Sequence, residues 1–242
     1  MNIFVIHKTK RHALANKRKP IIKDLSTDCV IFGFDNSQLK VLLIKLAVEP
    51  GKGQWALPGS NILKDENLDI AAKRVLNELT GLDNVYMEQL YTFGNVNRFP
   101  LFRVVTVAYF ALVKIEDYSP KPGPKASDAQ WFPIKKLPKL PFDHNEIISY
   151  ALRRLKQRVR IRPIGFELLP QKFTLSQLQN LYETILGITL DKRNFRKRIL
   201  GMGVILQLPE MQKGVPHRAA KLYRFDKRKY DSLKEKGFNF EI

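Results

Sequence analysis

Pro58-Gly59-Ser60-Asn61-Ile62-Leu63-Lys64-Asp65-Glu66-Asn67-Leu68-Asp69-Ile70-Ala71-Ala72-Lys73-Arg74-Val75-Leu76-Asn77-Glu78-Leu79-Thr80-Gly81-Leu82 is the stretch on which the fold turns. Its second half has the period of an amphipathic helix, predicted over Leu68 to Thr80, with Leu68, Ala72, Val75, Leu76 and Leu79 on one side. Gly81 follows as a C′ residue, where a left-handed backbone ends the helix. Positions 75, 78 and 79 are three and four residues apart and so share a face. That face holds one carboxylate, Glu78, between two apolar side chains. Arg74 and Glu78 stand at i, i+4. Spacing alone therefore allows two accounts: a wide core stripe with a surface ion pair worth about a few tenths of a kcal/mol, or a cation-binding helix that has lost ligands.

The flanks favour the second account. Trp55-Ala56-Leu57-Pro58-Gly59 leads in, and Ser60, Glu66, Arg74, Leu76, Glu78, Gly81 and Leu82 stand at fixed spacings, so that the stretch resembles a Nudix box. The family's pattern is Gly, five residues, Glu, seven residues, then Arg-Glu-aliphatic-any-Glu-Glu-any-Gly-aliphatic. Ser60 stands at the first Gly, and Val75 and Leu79 stand where the family has two of its carboxylates. The resemblance implies a mixed-sheet α/β/α sandwich. In active members the shared face holds magnesium against a diphosphate, and magnesium takes oxygen ligands in near-octahedral geometry. With Val75 and Leu79 in those places, the expectation is a Nudix fold without hydrolase activity, with no metal and no cofactor.

A chain of 242 residues holds one large domain or two modest ones. Its apolar fraction, 44%, is ordinary for a globular protein, and its longest apolar runs are too short to span a bilayer. The apolar start, Ile3 to Ile6, precedes the basic residues, the reverse of a secretory signal. The single cysteine, Cys29, excludes an internal disulfide and reads as a buried thiol. A cytoplasmic, non-membrane location is expected. The net charge of +19 is unevenly spread. Residues 1–23 carry 7 basic and 0 acidic side chains, residues 24–150 carry 14 and 15, and residues 151–242 carry 21 and 8. A neutral domain joined to a strongly basic one points to a polyanion partner.

These shifts divide the chain into a basic N-terminal arm (1–23), a Nudix-like domain (24–150), a linker helix and connection (151–172) and a basic C-terminal domain (173–242); the residues discussed below lead one to expect effector binding in the second and DNA binding in the last. Strands are predicted at Asp28–Phe34 and Leu39–Leu46, as a hairpin across Asp35-Asn36-Ser37, then at Tyr86–Phe93, Arg103–Val113 and Ala129–Pro133. Asp143-His144-Asn145-Glu146 has the form of a capping box. The helix after it carries Ile147, Ile148, Ala151, Leu152 and Leu155 at helical spacing and ends in Arg153, Arg154, Lys156, Arg158, Arg160 and Arg162.

Thr174-Leu175-Ser176-Gln177 offers a second capping box, with Thr174 as N-cap and Gln177 at N3. Leu178, Leu181, Tyr182 and Ile185 mark the apolar face of its helix, and Gly187 stops it. A turn of about three residues, the size used in helix-turn-helix units, leads to Thr189 as the expected N-cap of a second helix. There Phe195, Ile199 and Met202 face inward, and Lys192, Arg193, Asn194, Arg196 and Lys197 face outward. Arg and Asn can read guanine and adenine edges in a major groove, while Lys neutralises phosphates. Val204–Leu208 and Lys221–Phe225 read as a hairpin, whose loop, with Lys213, His217 and Arg218, is a candidate wing. The expected DNA contacts are these residues with Thr174 and Ser176. A basic helical dimerisation domain is the competing account.

A box lacking glutamates joined to a basic winged helix resembles the Nudix-related transcriptional regulators. Phe173-Thr174-Leu175-Ser176-Gln177-Leu178, Leu190-Asp191-Lys192-Arg193-Asn194-Phe195-Arg196-Lys197-Arg198, Leu90-Tyr91-Thr92-Phe93-Gly94 with Arg98, and Phe142-Asp143-His144 resemble that family's segments in order. The resemblance implies an α+β protein: an N-terminal Nudix-like α/β/α sandwich and a C-terminal winged helix-turn-helix. It further implies a homodimer on palindromic double-stranded operator DNA, acting as a repressor and released by a small effector. Because Val75 and Leu79 weaken metal-bridged phosphate recognition, a pentose such as L-arabinose is the expected effector, with Lys45, Trp55, Glu78, Asp143 and His144 as candidate contacts. The alternatives are an ADP-ribose-sensing regulator of NAD metabolism and an active Nudix pyrophosphohydrolase with a basic accessory domain.

Overall fold

The structure, a computed structural model, describes residues 20–242 except positions 36, 37, 215 and 217; at position 167 only the backbone is described. Most of the expected arm, and His217, lie outside the described residues. The chain enters on a long strand, β1 (Ile21–Phe34). Its residues alternate between two apolar layers: Cys29 and Ile31 on one side, Val30, Phe32 and Phe34 on the other. A strand apolar on both faces belongs in the middle of a covered sheet. Ile21 to Lys23, grouped by charge with the arm, are part of this strand, where Ile21 and Ile22 pair with the box loop.

β1 pairs in parallel with β6 (Val105–Lys114) from Leu25↔Val105 to Phe34↔Lys114. On its other edge it has two successive partners. β4 (Gly59–Leu63) runs antiparallel to it as far as Asp28↔Gly59, and β2 (Leu39–Leu46) takes over at Phe32↔Val41. β3 (Trp55–Ala56) and β7 (Ala126–Pro133) pair with β2, and β5 (Glu88–Phe93) pairs with β6 at the sheet edge. β7 begins three residues before the expected strand. β5 begins two residues after its own expected start, because Tyr86 points into solvent, 77% exposed.

The box helix, α1 (Leu68–Thr80), has the predicted bounds. Asn67 caps its start by accepting from Ile70 N–H at 2.9 Å, and Gly81 ends it at φ 70°. Ala72 and Leu76 pack on Cys29, Ile31 and Leu42. Cys29 is buried, with its thiol 3.7 Å from the Ala72 carbonyl, and burial pushes that thiol's pKa up. The opposite face is covered by α2 (His144–Ile161), whose Ile147, Ile148, Ala151 and Leu155 join Val30, Phe32 and Leu43. The result is an α/β/α sandwich with a mixed sheet, as the sequence led one to expect.

The same apolar cluster continues through Leu155 and Val159 of α2 into the C-terminal domain, where it takes in Leu178, Leu181 and Tyr182 of α3 (Leu175–Leu186). α2 is thus one continuous helix embedded in both cores. α3 carries the expected capping box in full: Thr174 Oγ1 accepts from Gln177 N–H at 3.1 Å, and Gln177 Oε1 accepts from Thr174 N–H at 2.8 Å. α4 (Lys192–Gly201) follows, then β8 (Ile205–Met211), β9 (Lys221–Phe225) and α5 (Lys227–Glu235), a helix the sequence reading did not include. The N-cap of α4 is Asp191, accepting from Asn194 N–H at 2.8 Å, not the expected Thr189. A carboxylate satisfies the free amides better than a hydroxyl and suits the helix dipole. Among the described residues no helix is long and apolar enough to cross a membrane.

Candidate functional site

The change of partner along β1 opens a crevice in the sheet. β4 and β2 diverge from one edge of β1, and Asp28 lies where they part, with Cys29 N–H reaching Pro58 O at 2.8 Å. A cavity of about 200 Å³ fills the gap, walled by Ser26 and Asp28 of β1, Ile44 and Leu46 of β2, and Leu57, Gly59, Ser60 and Asn61 around the box entry. The tight pairing explains Gly59: a Cβ there would collide with the Asp28 carboxylate.

Asp28 is the floor of a buried charge cluster. Arg98, its side chain 4% exposed, donates through Nη2 to Asp28 at 3.0 Å and through Nε and Nη2 to the two oxygens of Asp143, each at 2.8 Å. Burial alone lowers the Arg98 pKa, but the hydrogen bonds and charges of Asp143 and Asp28 more than reverse it, and the net direction is upward. His144 Nε2 lies 3.8 Å from Asp28, while Nδ1 accepts the Leu57 N–H at 3.0 Å. That bond requires an unprotonated nitrogen. Burial keeps the imidazole below its usual range, although Asp28 and Asp143 pull the other way.

This cluster corrects one expectation. Asp143 precedes α2, but its carboxylate makes no capping bond. A bidentate, charge-assisted pair with arginine outcompetes a backbone amide. The adjoining Phe142 sits at φ 59°, a backbone region that disfavours side chains. Its ring packs on Phe99 at 5.0 Å and His144 at 5.3 Å, and Phe99 in turn contacts Phe102. These three phenylalanines, not Trp55, form the aromatic wall of the cavity. A second cavity of about 540 Å³ lies against the first, the two sharing Pro50, Arg98 and Phe142.

Of the five expected effector contacts, the structure gathers two, Asp143 and His144. Trp55 is half-buried, its ring edge-on to Phe132 at 4.7 Å. Lys45 is its cross-strand neighbour, and neither side chain lines the cavities around Arg98. Glu78 is also outside those cavities, with its side chain 54% exposed and its carboxylate accepting from Arg74 Nη1 at 2.9 Å. The structure does not bring these three together with Asp143 and His144 around Arg98. Asp28, Phe99, Phe102 and Lys125 also line the cavity, and the sequence analysis did not name them as contacts. An aspartate at the head of an otherwise apolar strand was the one signal present in the sequence.

The box residues do not fit a magnesium site. Val75 and Leu79 are 0% and 3% exposed and pack with Ile44, Ala126 and Ala129, burial worth about 1.5–3 kcal/mol each. Glu66 accepts from Leu63 N–H and, bidentately, from Arg74 at 2.8 and 2.6 Å. Arg74 thereby holds both box glutamates, and Glu66 foremost raises its pKa. Among the described residues no group of three His, Cys, Asp or Glu side chains is placed to hold a metal ion.

In the C-terminal domain, Lys192, Arg193, Asn194 and Lys197 are exposed on α4, while Phe195 and Ile199 anchor it to the core. Arg196 is half-buried, its Nη2 donating to Ser176 Oγ at 3.2 Å. Ser176 is exposed beside it, whereas Thr174 is 3% exposed with its hydroxyl engaged in the cap. β8 continues to Met211, shortening the wing to residues 212–220, with Lys213 and Arg218 exposed. Of the basic residues ending α2, Arg158 is paired with Glu88 at 2.7 Å.

A Nudix-type sandwich with an apolar box face, fused through a shared helix to a winged helix, defines a class of two-domain Nudix proteins. The family described as "NUDIX domain" matches residues 23–155, and that described as "NrtR DNA-binding winged helix domain" matches residues 165–225. The ADPR responsive transcriptional repressor NtrR of Acinetobacter baylyi is 38% identical over 220 residues, which span 89% of this chain and 85% of that one. The crystal structure of Shewanella oneidensis NrtR complexed with a 27mer DNA superposes with a TM-score of 0.69 at 32% identity, covering 83% of this chain and 93% of that one. The Nudix domain of the same protein complexed with ADP ribose gives 0.50 at 35%, covering 61% and 99%. The chain belongs to the NrtR family of Nudix proteins with a DNA-binding winged helix.

Proposed function

We propose that this protein is a cytoplasmic transcriptional repressor that binds a palindromic operator as a homodimer and releases it on binding ADP-ribose in the Nudix domain. The observation that carries the reading is that one continuous helix runs from the cavity of the first domain into the core of the second. α2 follows directly on Asp143, begins with His144 at the cavity and ends packed against α3, which in turn carries the cationic α4. Residues 24–150 act as the effector domain, 151–172 as the link and 173–242 as the DNA reader.

Lys192, Arg193, Asn194, Arg196 and Lys197 of α4, with Ser176, Lys213 and Arg218, meet the duplex; His217, outside the described residues, is kept as a contact from the sequence alone. Lysines and most arginines neutralise phosphates, and Arg196 and Asn194 suit base edges. Two such helices must lie one helical turn apart, or a multiple of it. An effector weakens binding only by preferring a different geometry. Ligand contact at Arg98 changes what holds Asp143, and so biases where α2 starts.

ADP-ribose is favoured over L-arabinose for two reasons. The relatives described above respond to or bind ADP-ribose. The paired cavities, about 200 and 540 Å³, also suit an elongated ligand laid across Arg98, within the range of about 300–1,000 Å³ for ligand sites. The apolar Val75 and Leu79 argue against hydrolysis of that ligand. Gel shifts on the upstream region of the protein's own gene, with ADP-ribose and with L-arabinose, test the reading. Release by ADP-ribose alone is expected, and release by the pentose alone refutes the effector. Arg196→Ala should abolish specific binding and leave effector affinity unchanged. Equal operator affinity in variant and parent refutes the assignment of α4.

A further inference from the structure

We propose that this chain binds the diphosphate of its effector without a divalent cation, using the Lys125 ammonium and the Arg98 guanidinium instead. The inference rests on the effector reading above and concerns how the charge of that effector is met. In a box with its glutamates, a metal neutralises the diphosphate. Here the face that would hold it is sealed: Val75 is core, and Leu79 is both core and cavity wall. The two glutamates that remain are held by Arg74.

A cation enters the same cavity from another direction. Lys125 immediately precedes β7, and its Nζ lies 3.5 Å from Ser60 Oγ, the residue at the first position of the box pattern. Among the described residues Lys125 makes no ion pair with a carboxylate. Across the cavity, Arg98 uses Nε and Nη2 on Asp143 and Asp28, and Nη1 takes part in none of these bonds. One flexible and one fixed positive group therefore face a space bounded by the Leu79 side chain and the phenylalanine wall. A lysine serves phosphate as a point charge. The Arg98 fork is held by Asp143 and Asp28, so Arg98 offers the N–H groups of Nη1 as directed donors, and Lys125 supplies the uncompensated charge without a metal's coordination geometry. Gly59, Ser60 and Asn61 line the cavity beside them.

Calorimetric titration of the full chain with ADP-ribose, in EDTA and then in excess magnesium, tests this, with inorganic pyrophosphate as a second probe. The affinity should agree within about twofold between the two buffers. Lys125→Met should weaken it by roughly 10- to 100-fold, as expected for losing a hydrogen bond to a charged group. Lys121→Met, an exposed lysine outside the cavity, should leave it unchanged. Binding that disappears in EDTA and returns with magnesium overturns the inference while leaving the effector reading intact, as does a Lys125→Met chain that binds like the parent. If ADP-ribose binds in neither buffer, the effector reading falls. The pyrophosphate titration then decides: Lys125-dependent heat in EDTA supports a metal-free anion site, and its absence overturns it.

Discussion

Replacing Arg98 by methionine removes the positive centre of the cavity and leaves its shape nearly filled. In the folded protein this guanidinium is 4% exposed and makes three charge-assisted hydrogen bonds, at 3.0 Å to Asp28 and at 2.8 Å twice to Asp143. At an effective dielectric constant of about 20, unit charges about 3 Å apart attract by roughly 5 kcal/mol. Desolvating the three groups offsets much of that, so the intact cluster adds little net stability. The variant has no such balance: two carboxylates remain buried with their partner gone, which costs about 3–5 kcal/mol. For a chain of this size that corresponds to a fall in Tm of about 6–20 °C. Urea and thermal unfolding of Arg98→Met, Asp143→Asn and the double variant measure it. The double variant should be more stable than the two single losses added together, by at least about 1 kcal/mol, because the neutral amide put in place of the Asp143 carboxylate carries no stranded charge. A loss below about 1 kcal/mol for Arg98→Met, or simple additivity in the double variant, would refute the claim that these charges act as one buried unit.

Two further outcomes follow from local geometry. Thr174→Ala removes the acceptor of the α3 capping box and should cost about 1 kcal/mol in denaturant unfolding, whereas Thr174→Ser keeps the hydroxyl and should stay within about 0.5 kcal/mol; equal losses would show that the methyl group, not the cap, matters. Burial holds the folded His144 below the unfolded value of about 6.5, so the unfolded chain takes up a proton first as pH falls. Its contribution to stability is complete above about pH 6.5 and is lost from there down to the folded pKa, at up to about 1.4 kcal/mol per pH unit. His144→Asn should flatten that slope in urea melts between about pH 7.5 and 5.5, and an unchanged slope would remove His144 from the account.

The amino-acid sequence was most informative where the deciding interactions span one or two turns. Leu68–Thr80, Gly81, the Thr174–Gln177 box and the alternation of β1 rest on spacing, capping chemistry and apolar period, all of which are properties of neighbours along the chain. The replacement of two box carboxylates by Val75 and Leu79 was equally legible, and so was the division into neutral and basic halves. What the residues could not reveal in linear order is which distant groups share a dry space. Asp143 had the local credentials of a helix cap, yet Arg98, 45 positions away, claims its carboxylate. Asp28, 70 positions from Arg98, completes the cluster only because β1 exchanges β4 for β2 beside it. Trp55, expected at the effector site, packs edge-on against Phe132, while Phe99, Phe102 and Phe142 converge from separate loops. Local propensity set the elements; burial, which strengthens charge pairing and excludes water, chose the partners and made the site.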